Sequence, residues 1–438
     1  MKEASIIDVM LDGRGVADVE GKKVFVPYVI TGETVRFETK KKKKKFDEAK
    51  LLEVVEPSKH RVLPRCDYFG ICGGCATQHI SVQAQIDLKQ QSVIDTLAHI
   101  GKVTPEKVLP PVVDLAWGYR RRARLAVKSV TKKGRVLVGF REKNAPYVTD
   151  MTSCEVLHPT IGSLIQPLST LIGELTIHNK IPQVECSVAE NVTALVFRIL
   201  EDLSEDDLQK LALFSVYHSV RVYLQPKGLD SIYQLKIDNQ IHHESQALYY
   251  HLPLFGVNLE FSPVDFVQVH AGVNQKMIAL AYEWLALDVS AKLLDLFCGL
   301  GNFSLPLATR VSKVLGVEGD AALIERARHN VGINNLTNIT FEQADLFAQD
   351  KDNDWIKEGW DAVILDPPRS GAQEIIEKFS SQLPAKVLYV SCHPATLARD
   401  ANILVNSLGY RLARVCVLNM FPHTGHVETM ALFIKDSG

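Results

Sequence analysis

The chain has 438 residues, a length that suggests two or three domains. Hydrophobic residues make up 46% of it and charged residues 23%, which is typical of a folded, water-soluble protein. There is no run of about 20 apolar residues, and the first residues lack the basic-then-apolar order of a signal peptide, so we expect a cytoplasmic protein with no membrane partner. The formal net charge of −2 excludes a chain that is basic as a whole, so any nucleic-acid binding must depend on local patches.

Two such patches are present. The segment 36–50 carries eight basic residues against three acidic ones, including an unbroken run from Lys40 to Lys45. The segment 117–128 carries five basic residues and no acidic one. Patches of this kind are what phosphate binding requires, although a solvated lysine loop is the alternative interpretation of the run.

Residues 1–58 predict a small β-barrel. Short segments that alternate or are β-branched follow one another, with glycines at the turns between them. Five or so strands in fewer than 60 residues are typical of an OB-like barrel, a fold often used on RNA. The lysine run is then expected on a loop between two strands.

A glycine-rich loop at residues 59–84 contains three cysteines, Cys66, Cys72 and Cys75. Eight cysteines in a chain expected in the cytoplasm indicate metal binding or catalysis rather than disulfides. Three thiolates need a fourth ligand from elsewhere, and both zinc and a [4Fe–4S] cluster accept four cysteines, so the spacing alone does not choose between them. Cys186, on a predicted strand, is interpreted as a core residue.

The remaining chain changes pattern twice. Residues 85–100 are predicted to be helical, and residues 117–260 are rich in strands with scattered helices. From about residue 261 onward, strands and helices alternate, which predicts a doubly wound parallel sheet. The last two β-segments, around a loop, predict an antiparallel hairpin at the edge of that sheet. The predicted fold class is therefore α/β.

The first strand of this alternating region runs into a glycine-rich turn. Gly299 and Gly301 would let the backbone approach a ligand at the carboxyl end of the sheet. Glu318 ends the second strand, Asp345 the third and Asp366 the fourth. A nicotinamide-binding domain is the alternative, but its GxGxxG motif is absent, and the set of polar strand ends favours S-adenosylmethionine.

A cysteine and a glutamate are candidates for catalysis. Cys392 ends a predicted strand and is expected to point into the ligand crevice. A buried structural thiol is the alternative for any such cysteine, and it is the interpretation given to Cys298 and Cys416. Glu428 lies in a segment that is expected to form a loop reaching the same crevice.

Four sequence segments resemble motifs of the RNA uracil-5 methyltransferase family: DPPR at 366–369, SCHP at 391–394, FPHTGHVE at 421–428 and FVQVHAGVN at 266–274. The resemblance implies a class I methyltransferase sheet, with Cys392 as the nucleophile that adds to C6 of uracil and Glu428 as the base that removes the C5 proton. His270 stands where the family usually has asparagine. The residues implied to line the S-adenosylmethionine site are Gln268, Phe297, Asn302, Glu318, Asp345 and Asp366.

The resemblance also implies the rest of the architecture. Cys154 would complete a [4Fe–4S] cluster with Cys66, Cys72 and Cys75. The expected units are a TRAM-type barrel at 1–58, a central α+β domain at 59–84 and 117–260, and a methyltransferase domain at 85–116 and 261–438. A barrel together with a cluster is the combination found in family members that act on 23S ribosomal RNA at the uridine numbered 1939. We expect a monomer whose target uridine is single-stranded or flipped out. An amine methyltransferase and a non-catalytic RNA-binding protein are the rival classes.

Overall fold

The computed structural model describes residues 1–237, 240–241, 247–348, 354–378 and 384–435. Three larger β-sheets follow one another along the chain: a closed barrel, a sheet of six strands and a sheet of eight strands. Two short two-stranded sheets accompany them within these residues.

The N-terminal barrel closes in the strand order β1-β2-β3-β5-β4, and β1 pairs with β4 to complete the ring. Its strands are β1 (Lys2–Val9), β2 (Arg14–Val19), β3 (Lys22–Pro27), β4 (Thr34–Lys42) and β5 (Phe46–Glu56). Alternate residues such as Ile6, Val35 and Phe37 fill the interior, as the period of a strand requires. The predicted small barrel is confirmed, but the expected place of the lysine run is wrong in part. The first half of the run extends β4, and only the second half forms the turn before β5.

A helix and a short strand connect the barrel and cysteine loop to the rest of the chain. Helix α1 (Val82–Thr96) buries Gln85, Ile86, Lys89 and Val93. After it, strand β6 (Lys107–Val108) adds to the edge of the C-terminal sheet. This segment therefore packs on the C-terminal sheet, although the central sheet follows it in sequence.

The elements of the central region are β7 (Arg122–Val130), β8 (Arg135–Gly139), α2 (Pro159–Gly162), α3 (Ile165–Gly173), β9 (Gln183–Val188), β10 (Thr193–Arg198), α4 (Glu205–Tyr217), β11 (Val220–Gln225), β12 (Tyr233–Gln234), β13 (Lys236–Ile237) and β14 (Gln240–Ile241). The central sheet has the strand order β12-β11-β10-β9-β7-β8. Cys186 is buried in β9, as predicted for a core residue. Helix α3 packs against β8, and α4 begins with a capping box of Ser204 and Asp207.

The C-terminal region alternates strands and helices. Its elements are β15 (Leu248–Leu252), β16 (Val257–Phe261), α5 (Ala271–Leu285), β17 (Lys292–Leu296), α6 (Ser304–Ala308), β18 (Lys313–Glu318), α7 (Ala321–Ile333), β19 (Ile339–Gln343), β20 (Ala362–Leu365), α8 (Gln373–Lys378), β21 (Lys386–Ser391), α9 (Pro394–Asn402), β22 (Tyr410–Leu418) and β23 (Glu428–Lys435). Short 3-10 and π-helical turns lie at Thr131–Lys133, Leu229–Ser231, Asp354–Lys357, Leu97–Gly101 and Ile403–Ser407.

The eight-stranded sheet has the order β19-β18-β17-β20-β21-β23-β22-β6. Strands β17 to β21 are mutually parallel, whereas β23 runs antiparallel to both β21 and β22. The predicted doubly wound sheet and its antiparallel hairpin are therefore confirmed, but the hairpin is not at the edge of the sheet, because β6 pairs with β22 on its outer side. The order reverses between β17 and β20, and a crevice outside the carboxyl ends of the strands is expected at such a switch point.

None of the helices in the described residues is both long enough and apolar enough to cross a membrane.

The close packing of the π-helical turn after α1 against α9 can be tested at Gly101. An added Cβ there would lie 2.7 Å from the carbonyl oxygen of Ala398, so Gly101→Ala must displace backbone. We expect it to lower the free energy of unfolding by about 1–3 kcal/mol, the usual cost of overpacking, in urea titrations. The matched control is Gly332→Ala in α7, where a Cβ meets nothing within 4 Å and should raise stability by up to about 1 kcal/mol. Equal stability of the two variants would contradict the packing.

Candidate active site

The turn after β17 shapes the floor of the site. Phe297, Gly299 and Gly301 all have positive φ, at 62°, 56° and 98°. A Cβ on Gly301 would lie 1.8 Å from Cδ1 of Leu305, so only glycine fits where the turn packs on α6. A Cβ on Gly299 would meet nothing within 4 Å, because that side of the turn faces open space. The turn therefore packs tightly against α6 at Gly301 and leaves its backbone accessible to a ligand at Gly299.

Glu318 is the last residue of β18, beside the glycine turn. One carboxylate oxygen accepts a hydrogen bond from the N–H of Gly299 at 3.1 Å. The other accepts from the N–H groups of Gly319 and Asp320 at 2.7 and 3.1 Å. Its side chain is thus fixed by backbone donors on both sides.

The side-chain amide of Asn302, on the same turn, is held by two residues that were not predicted as site residues. Asn302 and Asn274 exchange reciprocal side-chain hydrogen bonds of 2.9 Å, and the Tyr250 hydroxyl donates to Oδ1 of Asn302 at 3.0 Å. Asn274 lies in the segment 266–274 that was singled out, so its position was a usable signal. Tyr250 is an ordinary strand residue in the sequence, and only the packing of β15 beside the turn shows its contact.

A cleft of about 580 Å³ opens at the switch point, within the range usual for small-molecule sites. It brings together seven of the eight residues predicted for catalysis and cofactor binding. These seven are Gln268, Phe297, Asn302, Glu318, Asp366, Cys392 and Glu428.

Asp345 does not line this cleft. It follows β19 in an exposed turn and accepts a hydrogen bond from the N–H of Phe347 at 2.9 Å. The Phe347 ring does line the cleft and packs on Phe297, with ring centroids 5.5 Å apart. Asp345 therefore holds the turn that presents Phe347.

His270, the residue that departs from the family pattern, also lies outside the cleft lining. It caps the N-terminus of α5, and its Nε2 lies 2.8 Å from the carbonyl oxygen of Leu115. Its ring is buried and stacks on Tyr119 at 4.8 Å. The histidine thus has a capping and packing role in this chain.

Strand register places Cys392 opposite Glu428. In the antiparallel pair of β21 and β23, Ser391 pairs with Thr429. Extending this register by one residue places Cys392, which directly follows β21, opposite Glu428, which precedes Thr429. Glu428 is the first residue of β23, which corrects the expectation that it lies within the loop. Residues opposite each other in such a ladder point to the same face, and both side chains line the cleft.

The cleft has an acidic electrostatic character. Burial raises the pKa of the Cys392 thiol, and the nearby carboxyls of Glu428 and Asp366 raise it further, whereas Arg369 lowers it. Burial also raises the pKa of Glu428 well above its ordinary value and that of Asp366 to about 7. Arg369, whose Nη2 lies 3.1 Å from Nδ1 of His426, is the cation among these groups. In the sequence, this arginine is the last residue of the DPPR segment at 366–369.

The four predicted cluster cysteines line a second, smaller cavity of about 40 Å³. All four are free thiols. Burial raises the pKa of each thiol, to about 12 for Cys75 and about 11 for Cys154. Among the residues with described positions, no group of three or more histidine, cysteine, aspartate or glutamate side chains is placed to hold one metal ion.

Neighbouring backbone N–H groups act against burial by lowering the pKa values of three of these thiols. The donors are Tyr68 and Phe69 for Cys66, Gly74 for Cys72, and Val156 and Leu157 for Cys154. The Gly74 nitrogen lies 3.4 Å from the Cys72 sulfur. Such donors stabilise negative charge on sulfur.

The second basic patch, at 117–128, is largely paired within the molecule. Arg121 contacts Glu190 at 2.9 Å, and Arg122 and Arg124 contact Glu185 at 3.7 and 2.9 Å. The predicted phosphate-binding role of this patch is weakened accordingly.

The reactivity of Cys392 tests the electrostatics of the cleft. Only a thiolate is alkylated, so with a raised pKa the modification rate of Cys392 by iodoacetamide should rise about tenfold per pH unit from pH 7 to 8.5. Glu428→Gln should increase the rate at pH 8.5, because it removes a carboxyl that raises the thiol pKa. Peptide mass spectrometry gives both rates, with buried Cys416 as the internal control that stays unmodified. A rate that levels off below pH 8 would show a lowered pKa and contradict this description.

Comparisons with known proteins agree on one family. The profile of the family described as tRNA (Uracil-5-)-methyltransferase matches residues 236–436. A protein of Alkalilimnicola ehrlichii named 23S rRNA (uracil(1939)-C(5))-methyltransferase is 45% identical over 99% of this chain and 97% of its own length. A protein of the same name from Xylella fastidiosa is 43% identical over 98% of this chain and 97% of its own.

A solved structure is similar along the whole chain. It is the Pyrococcus abyssi tRNA (uracil-54, C5)-methyltransferase in complex with S-adenosyl-L-homocysteine, with a TM-score of 0.73 and 25% identity, covering 98% of this chain and 100% of that one. The matches extend through the barrel, the cysteine region and the cleft. This chain is therefore a member of the RNA uracil-5 methyltransferase family.

Proposed function

We propose that this protein transfers a methyl group from S-adenosylmethionine to C5 of one uridine in 23S ribosomal RNA, the uridine of the 1939 type. The observation that carries the chemistry is the thiol of Cys392 opposite the carboxyl of Glu428 in one cleft. The RNA assignment is supported by the name shared by full-length relatives at 43–45% identity.

The cofactor would occupy the part of the cleft above the glycine turn. Glu318, already aligned by backbone donors, would accept hydrogen bonds from ribose hydroxyls. Asn302 and Gln268 offer amides, and Phe297 offers an apolar surface. Asp345 would act indirectly, through the turn that presents Phe347. The bound sulfonium supplies an electrophilic methyl group.

The chain's own residues perform the addition and the proton removal. Uracil C5 is a poor nucleophile until a thiolate adds to C6, so Cys392 forms a covalent adduct that makes C5 an enolate carbon. After C5 takes the methyl group, Glu428 removes the C5 proton, the double bond re-forms, and the Cys392 thiolate leaves.

The raised pKa values fit this sequence of steps. A positive charge beside Asp366 favours the ionised forms of nearby carboxyl and thiol groups, so a cationic substrate lowers the pKa values that burial has raised. Glu428 then becomes a base that is strong for a carboxylate, because its buried position favours the protonated form.

A uridine of another ribosomal or transfer RNA is the alternative substrate, and the transfer-RNA enzyme of similar structure is the reason to test it. A non-catalytic RNA-binding protein is the second alternative. Paired Cys392 and Glu428 in a cleft of suitable size disfavour that second alternative.

The RNA would reach the cleft as a single-stranded or flipped-out uridine, since C5 and C6 of a stacked base cannot enter such a cleft.

We assign residues 1–58 to an RNA-binding TRAM-type barrel, 59–84 and 117–260 to a central domain, and 85–116 and 261–438 to the methyltransferase domain, in a monomer acting in the cytoplasm. The lysine run from Lys40 to Lys45 lies at the end of β4 and in the turn before β5. Glu38 pairs with Lys40 at 2.7 Å and Glu48 pairs with Lys43 at 2.6 Å, but the six lysines outnumber these acids and leave this end of the barrel positive.

Two substitutions separate the nucleophile from the base. Cys392→Ala should reduce transfer of labelled methyl to a 23S transcript by about 10³-fold or more, with cofactor binding retained, because no adduct can form. Glu428→Gln should instead accumulate protein covalently bound to methylated RNA, because the adduct cannot lose its proton. The matched control Cys416→Ala, in the core of β22, should retain turnover. Turnover by Cys392→Ala, or absence of any adduct in Glu428→Gln, would contradict the roles.

We also propose that Cys66, Cys72, Cys75 and Cys154 hold a [4Fe–4S] cluster. The donor set fits: four cysteines line one cavity, and neighbouring backbone N–H groups lower the pKa values of three of the thiols. Zinc and a [4Fe–4S] cluster both accept four cysteines, and we propose the cluster because the resemblance to the family implies it. The cluster would tie the loop 59–84 to the central domain.

Iron content tests the cluster. Anaerobically purified protein should contain about four irons per chain, since each cysteine would bind one iron. Cys154→Ser should lose iron, whereas Cys186→Ser, a buried cysteine of β9 away from the cavity, should retain it. Stoichiometric zinc without iron, or full iron content in Cys154→Ser, would overturn the assignment.

A further inference from the structure

The loop that leads to Glu428 is held by donors from other parts of the chain. We call residues 419–427, between β22 and β23, the base loop. The carbonyl oxygens of Phe421, Pro422 and His423, three residues in a row, each accept hydrogen bonds from outside the loop. The donors are Nζ of Lys89 at 2.8 Å, the hydroxyl of Tyr119 at 3.1 Å, and the backbone N–H groups of Ala76 and Thr77 at 2.8 and 3.2 Å.

Lys89 is an unusual residue to find in this place. Only 2% of it is exposed, and burial lowers the pKa of its ammonium to about 8. Its two hydrogen bonds go to uncharged oxygens, the Phe421 carbonyl and Oδ1 of Asn419 at 3.3 Å. Burying an ammonium against neutral partners is costly, so packing alone does not explain the lysine.

Gln85 lies one helical turn before Lys89 on the same face of α1. Its Oε1 accepts from the backbone N–H of His423 at 2.9 Å, and its Nε2 lies 3.1 Å from Nδ1 of the same residue. His423 has a φ of 65°, and its ring stacks on Trp117 at 3.8 Å. The left-handed residue of the base loop is therefore fixed on both its backbone and its ring.

Lys89, Gln85 and Tyr119 do not line the cleft. They contact the loop that leads to Glu428, the proposed catalytic base. Glu428 directly follows the base loop, and His426 within the loop lines the cleft beside it. We propose that Lys89, Gln85 and Tyr119 are positioning residues for proton abstraction: they fix the base loop so that Glu428 is aligned with the C5 proton of the adduct. This inference rests on the proposed function.

The two chemical stages respond differently to a loosened base loop. Addition of Cys392 to C6 and methyl transfer to C5 use a group that directly follows β21 and groups in the glycine turn. Removal of the C5 proton to the Glu428 carboxylate is the step in which the C–H electrons re-form the C5–C6 double bond and expel the Cys392 thiolate. Loosening should therefore slow the second stage and leave the first nearly unchanged.

Rapid-quench single turnovers distinguish positioning from general destabilisation. Lys89→Met keeps the length of the side chain and removes its donors, and it should prolong the methylated covalent adduct by about tenfold or more, while adduct formation changes less than about threefold. Gln83→Met is the matched control, because Gln83 is exposed on α1 and its side chain donates to Asp87 of the same helix at 2.8 Å. It should behave as the unmodified protein.

Tyr119→Phe serves as the second variant, because it removes a single hydroxyl from the same loop. It should also prolong the lifetime of the methylated adduct, by a smaller factor than Lys89→Met. If Lys89→Met does not fold, the adduct lifetime in Tyr119→Phe tests the positioning role. If Glu428→Gln accumulates the adduct and neither positioning variant does, the inference is overturned and the proposed function stands. If no adduct forms in any variant or in the unmodified protein, the proposed function itself fails.

Discussion

The backbone hydrogen bonds between β21 and β23 are the constraint on which the site depends. Because these strands are antiparallel neighbours and Ser391 pairs with Thr429, a thiol and a carboxyl from residues 36 positions apart come to face each other at one end of the sheet. A slip of one residue in this register would turn one of the two side chains to the other face of the sheet. The chemistry therefore depends on strand pairing in the interior of the sheet, with β22 and β6 extending it on the outer side.

Burial gives this pair its electrostatic character. The thiol and the carboxyls of Glu428 and Asp366 lie in a region poorly accessible to water, so each holds its proton to a higher pH than in solution. Arg369 lines the same cleft and acts in the opposite direction on the thiol pKa. Under the proposed function, a cationic methyl donor bound beside Asp366 would lower these pKa values further, so ionisation of Cys392 would depend on the arrival of the donor.

The sequence was sufficient for the features that follow from local pattern. Alternation of strands and helices predicted the sheet, the glycines at 299 and 301 predicted the turn, and Glu318 and Asp366 lay at strand ends where the sheet brings them together. Asp345 shows the limit of that logic, because a polar residue beyond a strand end can turn to its own backbone instead of the crevice.

Contacts between segments far apart in the chain were not predictable from one sequence. Tyr250 reaches Asn302 only because β15 packs beside the glycine turn, and Lys89 reaches Phe421 across more than 300 positions. A lysine on a predicted helix is ordinarily expected to be exposed. Lys89 is buried because α1 packs against both the cysteine loop and the base loop. The lysine run was misplaced in part because β4 continues into it, where Lys41 and Lys42 pair with residues of β5.

The most direct measurement is the identity of the residue trapped by 5-fluorouridine. Fluorine at C5 cannot leave as a proton does, so the unmodified protein, incubated with S-adenosylmethionine and a 23S fragment bearing 5-fluorouridine at the target position, should stop at the methylated adduct. Tandem mass spectrometry of the digested complex should locate one methylated fluorouridine on the peptide containing Cys392. A linkage to any other residue, or recovery of free RNA only, would contradict the account.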